Sequence, residues 1–221
     1  MTHIYISEEI ARACPNLHVL AISCDIKNTE SDPLLWEEIK ETEEKIKETF
    51  KLEEVNKLPP IKATRQAYKK LGKDPNRYRP SAEALYRRIL RGLPLYQIDT
   101  LVDIVNLVSI KTGYSIGAFD VDKINGEKLT LGVGREGETY LGIGRGELNI
   151  SGLPVYRDNI GGIGTPTSDE ERTKIELQTT KLLMIINGYS GKEGLEEASL
   201  FAKELLTKYV SATNLCVTTV V

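Results

Sequence analysis

Histidine and cysteine are scarce in this chain: two of the first and three of the second among 221 residues. His3 and His18 both lie near the N-terminus, which leaves little scope for imidazole catalysis or a histidine-built metal site. Cys14, Cys24 and Cys216 are too scattered for a disulfide framework or a zinc site. Each sits in or beside an apolar strand-like segment, as small buried hydrophobes of a reduced compartment do. No apolar run approaches the roughly 20 residues of a membrane span. The opening MTHIYISEEIARACPNLHVL has no basic region followed by a long apolar one, which predicts no secretory leader and a cytoplasmic protein. A Walker Gly-Lys-Ser/Thr sequence is missing too. One dinucleotide-like match, Gly132 to Gly137 (GVGREG), falls among successive strand-like runs instead of between a strand and a helix. NAD and ATP are therefore excluded. With them goes ligase activity, which needs an ATP-binding catalytic domain. No cofactor and no metal is expected.

What is present suffices for a real core: 40% of residues are hydrophobic and 28% charged. The length suits one large domain spanning 1–221. Residues 17–26 (LHVLAISCDI) read as a strand, and 34–57 as a helix with Trp36, Ile39, Ile46 and Phe50 on one stripe. Asp32-Pro33 starts that helix and Leu58-Pro59-Pro60 ends it. Ser81 is expected to cap a helix closing at Gly92, and Thr100-Leu101-Val102-Asp103 to open another that stops at Gly113. From Tyr114 the period becomes two: SIGAFDV, EKLTLGV, ETYLGIG and ELNISGLPVY are short strands separated by glycine turns. Ser168 to Glu171 has capping-box character and predicts a short helix. LLMIING is a strand, GLEEASLFAKELLTKYV an amphipathic helix, and TNLCVTTVV a last strand. The class is α+β.

Charge is unevenly placed. From Lys62 to Arg91 ten basic residues oppose only Asp74 and Glu83, a local +8 in a chain of −3. Tyr68, Tyr78 and Tyr86 interleave with them. Cations with aromatics suit phosphate contact and base stacking. Equally, the block could neutralise the acidic helix before it, and the two readings stand side by side here. Gly161 to Ser168 (GGIGTPTS) precedes the expected helix start, so its amides either face an anion or form a plain connection. Asp103 and Asn106 share a helix face. Asp103 fits a capping role, Asn106 either a pocket wall or a loop contact, and Asp120 a turn closed at Gly126.

The order Thr100-Leu101-Val102-Asp103-Ile104-Val105-Asn106, then an apolar helix, then Ser115-Ile116-Gly117-Ala118-Phe119-Asp120 resembles the B3/B4 domain of the phenylalanyl-tRNA synthetase beta subunit. There the outline is Asn-x-Val-Asp-Ile-Thr-Asn, a helix, and Pro-Leu-His-Ala-Phe-Asp. Gly137-Glu138 and Gly161-Gly162 fall near comparable dipeptides. The similarity covers about 60–190 and leaves 1–58 as an extension. The upstream arm, RQAYKKLG to RPSAEALYRR, looks like that of free-standing B3/B4 proteins. The resemblance implies a B3/B4-like fold, central sheets or a sandwich flanked by helices. In the synthetase this domain hydrolyses tyrosine wrongly attached to tRNA(Phe).

Carried onto this chain, the resemblance implies hydrolysis of mischarged aminoacyl-tRNA, with tRNA or aminoacyl-tRNA as partner. Asn106, Gly117, Gly162, Thr165, Ser168 and Asn187 are the expected substrate-binding residues. Arg65, Lys69, Arg77, Arg79, Arg87 and Arg88 are the expected RNA-binding ones, and no catalytic residue is assigned. Two departures stand out. The family's histidine is Gly117 here, and the acid of its Leu-Glu-Ser-Ala segment has only Asn187 nearby, in LLMIING. The alternative is a non-catalytic binder of a free amino acid or similar small ligand. A third reading is a protein–protein module using the acidic helix.

Overall fold

The computed structural model describes residues 2–221. In chain order the elements are β1 (His3–Ile6), α1 (Glu8–Ala13), β2 (His18–Asp25), α2 (Pro33–Thr49), α3 (Pro59–Lys70), α4 (Ser81–Leu90), α5 (Thr100–Thr112), β3 (Ile116–Asp120), β4 (Lys128–Val133), β5 (Leu141–Gly142), β6 (Gly146–Glu147), β7 (Pro154–Arg157), β8 (Gly162–Gly164), β9 (Lys181–Gly188), α6 (Leu195–Val210) and β10 (Thr213–Val220). Short 3₁₀ turns lie at Val55–Lys57, Val121–Lys123 and Glu171–Thr173. The class is α+β.

Alternation along two strands builds three layers. β2 and β9 run antiparallel from His18↔Gly188 to Asp25↔Lys181, in a sheet ordered β10-β2-β9-β3. Leu20, Ile22 and Cys24 of β2, with Leu182, Met184 and Ile186 of β9, face the helices α2, α4, α5 and α6. The residues between them, Val19, Ala21, Leu183 and Ile185, face a second sheet ordered β1-β4-β7-β8. Period two thus sorts one strand's side chains into two separate cores. Each fully buried Leu or Ile contributes roughly 1.5–3 kcal/mol. A third, smaller cluster of Tyr68, Tyr140, Ile150, Leu153 and Val155 joins α3 to β7.

Several boundaries differ from the sequence expectation. α2 stops at Thr49, and Pro59-Pro60 does more than terminate it: both prolines are the first residues of α3. Proline suits that position because its missing N–H would be unsatisfied anyway. α3 buries Ile61, Thr64 and Tyr68 and carries the front of the basic block. Ser81 is the first residue of α4 and makes no capping bond. The cap of α5 is Asp99, whose side chain accepts from Val102 N–H at 2.8 Å; Thr100 lies inside. Gly113 ends α5 at φ +77°, as glycine can. The strand expected over ETYLGIG shrinks to Leu141–Gly142, and ELNISGLPVY splits into β6 and β7. Ser168 begins no helix; only the turn Glu171–Thr173 follows. Gly132 to Gly137 is the end of β4 and a turn. Among the described residues, no helix is long and apolar enough to cross a membrane.

Candidate functional site

β3 is an edge strand, bonded to β9 on one side only. Beside its open edge lies a cavity of about 400 Å³. Val102, Val105, Ile116, Ala118 and Ile175 supply apolar wall, and Ile98 and Ile143 stand partly exposed around it. Its polar lining is Ser81, Asn106, Thr165, Ser168, Asp169 and Lys174.

The turn 165–169 holds this lining rigidly. Thr165 Oγ1 donates to Ser168 O at 2.9 Å and accepts from the N–H groups of Thr167 and Ser168. Its hydroxyl is thereby used up in shaping the turn. Tyr140 OH donates to Ser168 O at 2.7 Å, and Tyr68 OH bonds Thr167 Oγ1 at 2.9 Å. Ser81 N–H reaches Pro166 O at 2.8 Å, tying the start of α4 to the same turn.

Asp169 follows. Ala118 N–H, on the unpaired side of β3, donates to its Oδ2 at 3.1 Å. Oδ1 has no donor among the described residues. It lies close to two glycines: a Cβ on Gly117 would come within 3.3 Å of it and 2.8 Å of Phe119 Cζ, and one on Gly164 within 2.9 Å of Oδ1. The side chain is half-buried, open to the cavity it lines, yet protein surrounds the carboxyl. Burial pushes its pKa up to about 8, against a small lowering by the Ala118 N–H. A carboxyl thus occupies the space beside Gly117, where the family pattern has histidine.

On α5, Asp103 is fully buried and accepts from Trp36 Nε1 at 2.6 Å, Ser31 Oγ at 2.5 Å and Ile98 N–H at 3.4 Å. Burial raises its pKa despite these donors. Its work is structural, since it draws α2 and the 91–99 loop onto α5 and so sets Ile98 beside the cavity. Asn106, one turn along, lines the cavity with no hydrogen-bond partner among the described residues.

Around α4 lies a second concavity, of about 380 Å³, lined by Arg77, Arg79, Arg87, Arg88, Arg91 and Arg145 with Leu93 and Tyr96. Arg88 stacks over the exposed Tyr96 ring at 3.9 Å and donates to Pro94 O. Arg77, Arg79, Arg91 and Arg145 have no acidic partner among the described residues. No ion pair joins the basic block to α2 among those residues either. Glu38 and Glu44 of α2 pair instead with Lys208 and Lys47. Groove and cavity adjoin: Arg79 stands two residues before Ser81, and Arg145 two after Ile143.

The expected site residues therefore separate. Asn106, Thr165 and Ser168 meet at the cavity. Gly117 lies behind it, between the lining residues Ile116 and Ala118. Gly162 packs under the Tyr140 ring, away from the cavity. Asn187 is buried elsewhere, accepting from Tyr156 OH and donating to Ser115 O, because a polar group in a β9 core needs both partners. Of the expected RNA contacts, Arg77, Arg79, Arg87 and Arg88 line the groove, although Arg87 is also tied to an acid beneath it. Arg65 and Arg87 grip the fully buried Glu83, each at 2.8 Å, and Lys69 is exposed outside the groove. Asp169, Lys174, Arg145 and Tyr96 escaped the sequence reading. Asp169 was absorbed into an apparent capping box, and Arg145 lies far from the block in sequence. The Gly-Arg-Gly turn carrying it was the one available signal.

A profile of the B3/4 domain family matches residues 63–200. Among solved structures, an N-terminal fragment of the phenylalanyl-tRNA synthetase beta-subunit from Pyrococcus horikoshii is similar at 14% identity with a TM-score of 0.46. The alignment covers 98% of this chain and 50% of that one, so the chain spans about half that structure's length. No curated protein matches the sequence.

Proposed function

The chain belongs to the B3/4 domain family, and from that premise we propose that it acts on tRNA, hydrolysing the ester of mischarged aminoacyl-tRNA. The observation that carries the reading is the adjacency of the arginine groove to the cavity at β3. A polyanion lying along Arg77, Arg79, Arg88, Arg91 and Arg145 would deliver its end to a pocket of amino-acid size. The resemblance of Thr100–Asn106 and Ser115–Asp120 to the synthetase's editing domain supports the same reading.

Hydrolysis forms one C–O bond from water to the acyl carbon and breaks the ester bond to the ribose oxygen, which takes up a proton. Such chemistry depends on a held water and well-placed polar groups more than on a strong nucleophile. Asn106 and Ser81 are the lining groups free to hold water or the acyl oxygen, while the Ser168 hydroxyl donates to Asp169 O at 3.3 Å. Thr165 acts by shaping the turn. We take the whole chain as one domain, since β2 from the N-terminal extension lies inside the central sheet between β9 and β10.

The test is deacylation of a panel of mischarged tRNAs. Release of the amino acid above the buffer rate for at least one pair, reduced about tenfold or more by Asn106→Ala, is expected. No release from any pair, together with binding of a free amino acid at the cavity, would favour the non-catalytic alternative.

A further inference from the structure

We infer that the cavity at the open edge of β3 binds a primary ammonium group on its ligand, with Asp169 as the counter-ion and the apolar walls around the ligand's body. This rests on the proposed function only in using the same cavity. It names the charge that cavity selects.

Four features of the molecule converge on it. The carboxyl lines a cavity walled by Val102, Val105, Ile116, Ala118 and Ile175, where an unpaired charge is costly. It is fixed, because Ala118 N–H holds Oδ2 at 3.1 Å. It is cradled at Oδ1 by two positions where a Cβ would crowd it, Gly117 at 3.3 Å and Gly164 at 2.9 Å. And no cation among the described residues reaches it: Lys174, the one basic group in the lining, pairs with Glu171 at 2.9 Å instead. The two glycines make room for the Phe119 ring and the carboxyl together, and among the described residues that carboxyl receives a single backbone donor.

Such a group reaches neutrality by taking a proton or by meeting a cation from outside. Burial pushes its pKa up to about 8, so without a counter-ion the carboxyl keeps its proton at neutral pH. A ligand ammonium displaces that proton and takes its place. A carboxyl with one oxygen already taken by Ala118 N–H suits a compact ammonium with three donors better than a guanidinium fork, which wants both oxygens. The titratable groups facing Asp169 do not substitute for the ligand. Tyr140 spends its hydroxyl on Ser168 O, Glu170 bonds the Arg172 backbone, and Lys174 is held by Glu171. On β3 the nearest carboxylate, Asp120, bonds Thr179 Oγ1.

The experiment uses the full chain and no tRNA. L-valinamide, L-leucinamide and L-phenylalaninamide are titrated by calorimetry near neutral pH, each beside its analogue lacking the α-amino group, in two buffers of different ionisation enthalpy. Amides carry no carboxylate to repel Asp169. Expected are binding of at least one amide, at least tenfold weaker binding of its desamino analogue, and proton release on binding of the amide. Asp169→Asn should bind the two alike. Equal binding by the wild-type protein, no binding of any amide, or a preference that survives Asp169→Asn would each overturn the inference. The wild-type pair decides the matter even if the variant fails to fold. Failure to deacylate any tRNA, with ammonium selection intact, would refute the proposed function and leave this inference standing. Deacylation without ammonium selection would do the reverse.

Discussion

Asp169 and Glu83 show how differently two buried carboxyls are handled. Glu83 is wholly enclosed but meets Arg65 and Arg87 at 2.8 Å each, so its charge is compensated twice. Removing it strands two guanidinium groups. Glu83→Ala should destabilise the protein by about 3–5 kcal/mol in denaturant unfolding, far beyond a usual surface change. Asp169 has no such partner, and its effect appears as pH dependence. With a folded pKa near 8 against an ordinary 3.8, the native state keeps a proton that the unfolded chain has lost. Stability from this group is full below about pH 4 and drains away as pH rises to about 8. Unfolding midpoints of the wild type should therefore fall across that window relative to Asp169→Asn, which has nothing there to titrate. Parallel curves for the two proteins would remove Asp169 as the source. Neither role was visible in the sequence. Glu83 reads as one of two acids inside a basic block, and burial, which separates it from an ordinary surface acid, is a property of the fold.

At the scale of elements, strongly periodic segments were legible. The stripe Trp36, Ile39 and Ile46 is buried as its spacing implies, β2 and β9 alternate between two cores, and Gly113 terminates α5. What failed was punctuation. Pro59-Pro60 looked like a stop and is also a start, because proline at the first turn of a helix and proline after one look alike in sequence. The cap of α5 sits one residue earlier than expected, at Asp99, since Asp and Thr are both good caps and only the backbone chooses between them. Asp99→Ala should cost about 1 kcal/mol in thermal or denaturant unfolding, and Thr100→Ala should cost its bonds to Thr29 and Glu30 instead of a cap. Ser168 failed for a related reason. A turn closed by its neighbour Thr165 shares the residue types of a helix N-terminus, and the bonds of Thr165 Oγ1 distinguish them only once the fold is seen.

For the whole molecule, the main gain over the sequence is spatial. The basic block divides into an interior half and a surface half: Arg65 and Arg87 hold Glu83, Lys73 reaches Asn149 O and Ser151 O, and Arg77, Arg79, Arg88 and Arg91 line a groove completed by the distant Arg145. If tRNA follows that groove, log affinity should fall linearly with log salt. Arg77→Gln, Arg79→Gln and Arg145→Gln should each flatten the slope by about 1 and weaken different tRNAs about equally. Filter binding across a salt series measures this. A slope unchanged by all three substitutions would separate the groove from nucleic acid. Counting charges along the chain found the excess. Only folding showed which of those cations are already spoken for.

The unpaired side of β3 has one more consequence. A free strand edge offers its N–H and C=O groups to any other extended chain, and folded proteins guard such edges against self-association. Here the guard is the 165–169 turn, which lays the Asp169 carboxyl across Ala118 N–H. An extended chain pairing with this edge would have to displace the same acid that gives the cavity its polarity.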